Sequence, residues 1–334
     1  MTKTGSRIGP KTWLLIAALI SFGISLFEKR IDPYFHDIII SIGINIILGV
    51  GLNLVNGYTG QFSLGHAGFM AVGAYVFAAI TAFIGPGAIA ALGGGTLAGL
   101  SLYVVALLAG GLGAGLVGLM VGVPSLRLKG DYLAIVTLGF GEIIRVVIQN
   151  ADAIGGPRGF SVTHLLGAYF FPTFLCAALC VYVVVLLVHS TYGRGFLTVA
   201  DDEVAAEAMG INTTKYKVIA FVIAAFFAGI AGGLYTNFKE YIHPEGFNFL
   251  RSVDIVVIVI LGGMGNTPGV IAAAVLLTIL PEGLRYVAGW DFLSPQMQQI
   301  AGNRMLLYSI LLIILMLTRP QGLFTRRSRL RKSL

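Results

Sequence analysis

The side chains that could do chemistry in this sequence form two groups. One is an acidic cluster, Asp202, Glu203 and Glu207. The other is a set of polar residues scattered along apolar segments: Asn45, Asn53, Gln61, Ser63, His66, Glu142 and Arg145. The sequence has no H-E-x-x-H or G-x-S-x-G pattern and no Cys/His framework for a metal. Isolated polar groups within apolar segments are typical of a path across a membrane, so we expect no catalytic and no metal site.

The composition excludes an ordinary soluble domain. The chain has 334 residues, of which 57% are hydrophobic and 11% are charged, whereas globular chains have about 45–50% apolar and about 25% charged residues. Several runs approach the ~20 apolar residues that cross a bilayer, and spans must pair their own backbone groups, as helices do. We predict an all-α, polytopic transmembrane bundle, with residues 1–334 forming a single membrane domain in the lipid bilayer.

The apolar runs predict about ten spans. They cover residues 13–27, 38–56, 69–84, 97–121, 131–149, 169–189, 218–234, 253–261, 270–286 and 304–318. The net charge of +7 comes from basic residues near the termini and in short loops, which follows the positive-inside rule and does not indicate nucleic acid binding. Both termini and the acidic cluster are therefore expected in the cytoplasm. That requires an even number of spans, and eight remain possible if residues 253–261 are re-entrant.

The acidic cluster lies in Val199–Ile211, between two apolar runs. Apolar residues at helical spacing separate its charges, Asp201 or Asp202 is a suitable N-cap, and Gly210 is a suitable helix stop. We predict a short amphipathic helix outside the membrane. It is either a docking surface for a partner or a solvated loop helix.

Two glycine-rich breaks interrupt apolar segments, at Gly57–Gly68 and at Gly262–Gly269. Non-helical backbone at membrane depth requires surrounding protein or a cavity, so we predict broken helices at a functional place. Similar breaks in two halves of a chain are typical of internal repeats that flank a transport path. Elsewhere, GxxxG spacing at Gly111/Gly115, Gly118/Gly122 and Gly229/Gly233 predicts close helix packing.

Each predicted path residue has a structural alternative. Asn45 and Asn53 share a helix face with Ser41 and Gly49, which fits either path lining or hydrogen bonds between helices. His66 is a path residue or a satisfied buried imidazole. Glu142 and Arg145 have salt-bridge spacing on a helix and are either structural or gating.

Several motifs resemble one family. Residues 202–211, DEVAAEAMGI, resemble the EAA coupling loop of ABC-importer permeases, most closely those of the LivH/LivM type for branched-chain amino acids. The stretches GYTGQFSLGHAGF from Gly57, LRLKGDYLAIVTL from Leu126 followed by GGPRG, LGGMGNTPG from Leu261, and RPQGL from Arg319 resemble the same family. The resemblance covers roughly Ile42 to Phe324.

The resemblance implies an inner-membrane permease that works with a LivH-type permease, two cytoplasmic ABC ATPases and a periplasmic amino-acid-binding protein. In that family the 199–211 helix transmits closure of the ATPases. Asp202, Glu203 and Glu207 would contact the ATPase, Ala205 and Ala206 would permit close approach, and Gly210 would end the helix. The sequence has no Walker A pattern, so we expect ATP to be used by partner subunits and no cofactor to be bound here.

Other functions remain open at this point. Close relatives in the family handle urea, short amides or aromatic acids. An ion-coupled secondary transporter would use the Glu142/Arg145 pair and need no ATPase. A membrane-embedded enzyme centred on His66 or Glu142 is a third alternative, for which the sequence offers no convergent catalytic groups.

Overall fold

The computed structural model describes residues 30–91, 93, 95–126, 128, 130–162 and 169–288, together with scattered positions before and after them. The described part is almost entirely helical. Its helices are α1 (Pro33–Asn53), α2 (His66–Ala79), α3 (Gly85–Ala91), α4 (Thr96–Ser125), α5 (Asp131–Gln149), α6 (Phe170–His189), α7 (Thr191–Asp201), α8 (Glu203–Ala208), α9 (Thr213–Lys239), α10 (Phe249–Gly262) and α11 (Thr267–Ala288). Two short strands, β1 (Phe160–Ser161) and β2 (Tyr241–Ile242), pair antiparallel.

Six helical segments are long and apolar enough to cross a membrane: Pro33–Tyr58, His66–Ala91, Thr96–Ser125, Tyr132–Gln149, Phe170–His189 and Thr213–Lys239. They correspond to the second through seventh predicted spans. The predicted segments 253–261 and 270–286 fall in the two further helices α10 and α11. The predicted spans 13–27 and 304–318, the closing RPQGL motif and both terminal tails lie outside the continuously described residues. The chain is thus an all-α polytopic membrane protein.

Glycine lets three helices touch through their backbones at the centre of the bundle. Helix α4 runs antiparallel to α9, and α2 packs against both. A Cβ on Gly229 would lie 2.5 Å from Ala114 Cβ and 2.6 Å from the Gly110 carbonyl oxygen, while one on Gly110 would lie 2.8 Å from the Gly73 carbonyl oxygen. Lipid supplies no hydrophobic force between helices, so close van der Waals packing of this kind holds them together. The predicted packing role of Gly229 is confirmed.

The two breaks are present as predicted. After Asn53, α1 widens into a π-helical turn, Leu54–Tyr58, and residues 60–65 then run without helical structure before α2 begins at His66. The second break separates α10 from α11, with Gly263 and Gly265 at positive φ. Single π turns within helices are frequent at functional sites, and both breaks lie against buried helices.

We expect Gly229→Ala to destabilise the protein by about 1–3 kcal/mol, because the added methyl must push α9 away from α4. Gly139→Ala in α5 is the matched control, since a Cβ there meets nothing within 4 Å. The measurement is the thermal midpoint of the detergent-solubilised chain. Equal midpoints for the two variants would contradict the packing role of Gly229.

Candidate functional site

The predicted amphipathic helix is shorter than its sequence pattern indicated. Residues 199–201 belong to the end of a separate helix, α7, which the sequence reasoning missed, and Asp202 is extended between α7 and α8. Asp202 Oδ1 caps α8 by accepting from the backbone N–H groups of Val204 at 2.9 Å and Ala205 at 3.0 Å. The predicted range 199–211 was therefore wrong as one helix, because a capping Asp favours extended backbone at the N-cap position.

Gly210 ends α8 as predicted. Its φ is +81°, a conformation that an L side chain rarely adopts. The Gly210 N–H donates to the Glu207 carbonyl at 2.9 Å and the Ile211 N–H donates to the Ala206 carbonyl at 3.0 Å. This pair of bonds is a Schellman motif, which satisfies the last carbonyls of a helix.

Most of the exposed residues of α8 are apolar. Val204 is 68% exposed and Met209 is 82% exposed, and Ala205 and Ala208 are exposed between them. Ala206 points inward and is buried, so of the two alanines predicted to permit close approach only Ala205 faces outward. An exposed apolar surface on a fixed six-residue helix favours the docking interpretation over a solvated loop helix.

The two glutamates of α8 have partners within the chain. Glu203 Oε1 lies 2.6 Å from Lys217 Nζ of α9, and the Lys217 side chain is 1% exposed. Thr213 Oγ1 donates to Glu207 Oε1 at 2.7 Å. Both carboxylates thus attach α8 to the first turns of α9, and their contact with an ATPase stays a prediction.

Helix α7 brings this region against the first break. A Cβ on Gly60 would lie 3.3 Å from Ala200 Cα. The turn at Gly60, whose φ is +67°, therefore packs directly against the end of α7. This contact joins the α7–α8 region to the first break.

The two glycine-rich breaks contact each other. Asn53 Oδ1 accepts from the Gly265 N–H at 2.9 Å, and the Tyr58 hydroxyl lies 2.9 Å from Thr267 Oγ1. A Cβ on Gly57 would overlap the backbone of Gly265. The similarity between the breaks noted in the sequence is therefore matched by direct contact in space.

Side chains satisfy the backbone of the first break. The Ser63 N–H donates to Asn56 Oδ1 at 3.2 Å, the Leu64 N–H to Thr137 Oγ1 at 3.1 Å, and the Ala67 N–H to Ser252 Oγ at 3.1 Å. Gln61 donates from its backbone N–H to the Val55 carbonyl and from Nε2 to the Thr59 carbonyl. Non-helical backbone persists here because α1, α5 and α10 each supply an acceptor.

Three buried polar nitrogens in and near the first break lack a partner. Asn53 Nδ2, Asn56 Nδ2 and His66 Nε2 have no hydrogen-bond partner among the described residues. His66 and Ser63 are almost fully buried. Of the predicted path residues, Asn53 holds Gly265 and Ser63 is bonded to Asn56. Gln61 bonds to the Val55 and Thr59 carbonyls, and His66 lies beside Gly51 of α1.

Asn45 lies elsewhere, in a cavity on the side of α1 that faces α10. Arg251 Nη2 donates to Asn45 Oδ1 at 3.0 Å, and Asn45 Nδ2 donates to Thr278 Oγ1 at 2.9 Å. Asn45 therefore makes the interhelical hydrogen bonds that were one alternative and also lines a cavity. Arg251 lies outside every predicted span, but in the structure it belongs to α10.

Glu142 and Arg145 form the predicted i,i+3 ion pair, with 2.7 Å between Arg145 Nη2 and Glu142 Oε2. Arg145 also lies 3.4 Å from Glu245, whose side chain is 63% exposed. The pair therefore sits near the surface, at the C-terminal part of α5, and not at the junction of the breaks. Partly exposed pairs contribute about 0–1 kcal/mol to stability.

Sequence reasoning missed Lys217, Arg251, Thr137 and Ser252. Lys217 lies one residue before the predicted span 218–234, and Arg251 lies two residues before the predicted span 253–261. The signal available was Asn248, a good N-cap one residue before α10, whose Oδ1 accepts from the Arg251 N–H at 3.1 Å. Thr137 and Ser252 carried no signal, because only the fold brings them to the break.

We expect Asn53→Leu to release the second break, because the Gly265 N–H would lose its acceptor at a cost of about 1–3 kcal/mol. Hydrogen–deuterium exchange of a peptide covering residues 261–269 should become faster. Ser101→Ala is the control, since that hydroxyl only donates to a carbonyl in its own helix. Unchanged exchange in Asn53→Leu would show that Asn53 does not hold the break.

We expect Glu203→Gln to destabilise the attachment of α8 to α9, because the buried Lys217 ammonium would lose its counter-charge. The thermal midpoint should fall, and the double variant Glu203→Gln/Lys217→Met should recover part of the loss. Glu207→Gln is the control, since its amide oxygen still accepts from Thr213. A double variant less stable than Glu203→Gln would argue against this pairing.

Comparison with known proteins finds related permease sequences. The family model described as "Branched-chain amino acid transport system / permease component" matches residues 34–317. The permease protein LivM of the high-affinity branched-chain amino acid transport system of Salmonella typhimurium is 34% identical over 259 residues, which is 67% of this chain and 58% of LivM. LivM of Escherichia coli K12 is 34% identical over 247 residues, covering 64% of this chain and 55% of LivM.

LivH of Escherichia coli K12, a permease protein of the same transport system, is 26% identical over 175 residues, 52% of each chain. A solved structure, PsaBC from Streptococcus pneumoniae in complex with Fab, gives a TM-score of 0.41 at 15% identity over 88% of this chain and 95% of that chain, and no conclusion rests on it. The matched part spans somewhat more than half the length of the LivM relatives. Because the family model covers most of the chain, the protein belongs to the permease family of branched-chain amino acid transport systems.

Proposed function

We propose that this protein is a permease subunit of an ABC importer that moves branched-chain amino acids inward, driven by separate ATPase subunits. The observation that carries the proposal is α8: a capped helix with an exposed apolar face, Val204, Ala205, Ala208 and Met209, fixed to α9 through Glu203 and Lys217. Such a helix suits a groove in a partner, because its apolar face has no cover among the described residues.

The proposed mechanism passes motion from α8 into the bundle by two contacts. The Glu203–Lys217 pair links α8 to α9, which packs against α2 and α4. The Ala200–Gly60 contact links α7 to the first break, and Asn53 links that region to the second break. Closure of ATPases on α8 would move the two breaks together, and the bundle would alternate its opening.

The proposal includes the partners that the family resemblance implies. They are a LivH-type permease that completes a heterodimer, two cytoplasmic ABC ATPases that use the ATP, and a periplasmic amino-acid-binding protein. The chain would lie in a bacterial inner membrane with about ten spans, and both termini would share the cytoplasmic side with α8. Residues 1–334 would form one membrane domain, and no cofactor is proposed for it.

The substrate class is part of the proposal. Named relatives transport branched-chain amino acids, which supports leucine, isoleucine and valine over urea, short amides or aromatic acids. The secondary-transporter alternative needs the Glu142/Arg145 pair in the path. That pair is bound to Glu245 near the surface, which does not favour it.

The test is recovery of the ATPase with the detergent-solubilised chain from its native membrane. We expect wild type to retain an ATPase, and Val204→Asp and Met209→Asp each to lose it, because a charge on the docking face must be desolvated. Leu97→Asp is the matched control: Leu97 is equally exposed, at 80%, but lies at the other end of the bundle. Glu203→Lys should also lose the ATPase, through loss of its attachment to Lys217.

Two results would contradict the proposal. One is the absence of any ATPase from the wild-type sample, which would favour an ion-coupled transporter. The other is retention of the ATPase by both α8 variants. A separate uptake measurement addresses coupling. A bulky residue at Gly210 should separate ATP hydrolysis from amino acid uptake. Normal uptake by that variant at normal expression would contradict the role of α8.

A further inference from the structure

A cavity of about 160 Å³ lies between α1, α2 and α10. Its polar lining comes from Ser41, Asn45 and Arg251, and its apolar lining includes Ile44 and Met70. An engineered cavity of about 150 Å³ accommodates benzene, so the space admits a small aliphatic side chain. The proposed coupling mechanism makes no use of this cavity.

The guanidinium of Arg251 has little to neutralise it. It stays charged in proteins and offers five N–H donors, yet among the described residues its side chain makes one hydrogen bond, to Asn45. No carboxylate of the described chain lies within 4 Å of it. A cation in a membrane helix faces the bundle interior or a water-filled cavity and marks a substrate path.

Asp254 adds the opposite charge nearby. It lies three residues after Arg251 in α10, but its side chain is exposed and does not line the cavity. An α-amino acid carries a carboxylate and an ammonium on the same carbon atom. The Arg251 guanidinium beside an apolar wall therefore matches the carboxylate and side chain of an aliphatic amino acid, whereas urea and short amides have no charge for Arg251 to bind.

We propose that this cavity is a transient site for the substrate amino acid, in which Arg251 and Asn45 bind the α-carboxylate, and Ile44 and Met70 contact the aliphatic side chain. This inference rests on the proposed transport function and adds the residues that recognise the substrate. Arg251 suits the task because its planar fork can bind a carboxylate through two hydrogen bonds.

The first test is uptake of labelled L-leucine by the complete importer in proteoliposomes. Arg251→Gln should lower the uptake rate about tenfold or more, because a charge-assisted hydrogen bond to the substrate is lost. ATP hydrolysis stimulated by the loaded binding protein should stay within about twofold, since coupling runs through α8. Arg285→Gln, at an exposed arginine of α11, is the control and should match wild type.

The outcomes separate the two proposals. No ATP-dependent leucine uptake by wild type would overturn the transport function itself. Uptake by wild type that is unchanged in Arg251→Gln would overturn the site alone. Partial recovery in Arg251→Lys, which keeps the charge but not the fork, would support carboxylate binding.

A second test reads occupancy directly and does not depend on the folding of an Arg251 variant. Ser41→Cys in the assembled importer should react with a water-soluble thiosulfonate above the background of wild type, whose two cysteines are Cys176 and Cys180. Leucine at about ten times its Kd should slow that reaction about tenfold, because only the empty site reacts. Leucinamide, which lacks the carboxylate, should give no protection. Equal protection by the two compounds, or by neither, would overturn the assignment.

Discussion

Every backbone group at membrane depth must find its partner within the protein, and this requirement organises the centre of the molecule. Helices satisfy it by themselves, but the segment after Tyr58 and the turn after Gly262 leave the helical conformation. Their N–H groups are accepted by Asn53, Asn56, Thr137 and Ser252, which come from three helices. The breaks can exist only where α1, α5 and α10 meet, so the positions of these helices and of the breaks depend on one another.

Close packing also explains why glycines occupy the helix contacts at the centre of the bundle. Gly73, Gly110 and Gly229 bring three helices into backbone contact, and Gly57 does the same for the two breaks. Packing of this closeness transmits displacement, since a close-packed interior has no void to absorb it. A small helix outside the bundle can therefore influence residues deep within it, provided that it is firmly attached.

Helix α8 is attached by charge and by caps. Asp202 and the Schellman motif at Gly210 fix its two ends, and Glu203 and Glu207 hold it to α9. The acidic residues that make the segment conspicuous in the sequence thus have partners within the chain, and apolar residues are exposed beside them. The sequence does not reveal the pairing of Glu203, because it does not show where Lys217 lies.

The sequence alone determined the all-α membrane class, six of the spans, both breaks, the N-cap at Asp202 and the stop at Gly210, because these depend on local hydrophobicity, helix length and backbone preference. It also singled out the family motifs. Only the tertiary structure decided which residues share a site. Asn53 is 212 residues from Gly265 and Asn45 is 206 residues from Arg251, and no periodicity relates positions so far apart. The separation of α7 from α8, the inward Ala206 and the cavity at Arg251 were likewise set by packing, which a linear pattern does not contain.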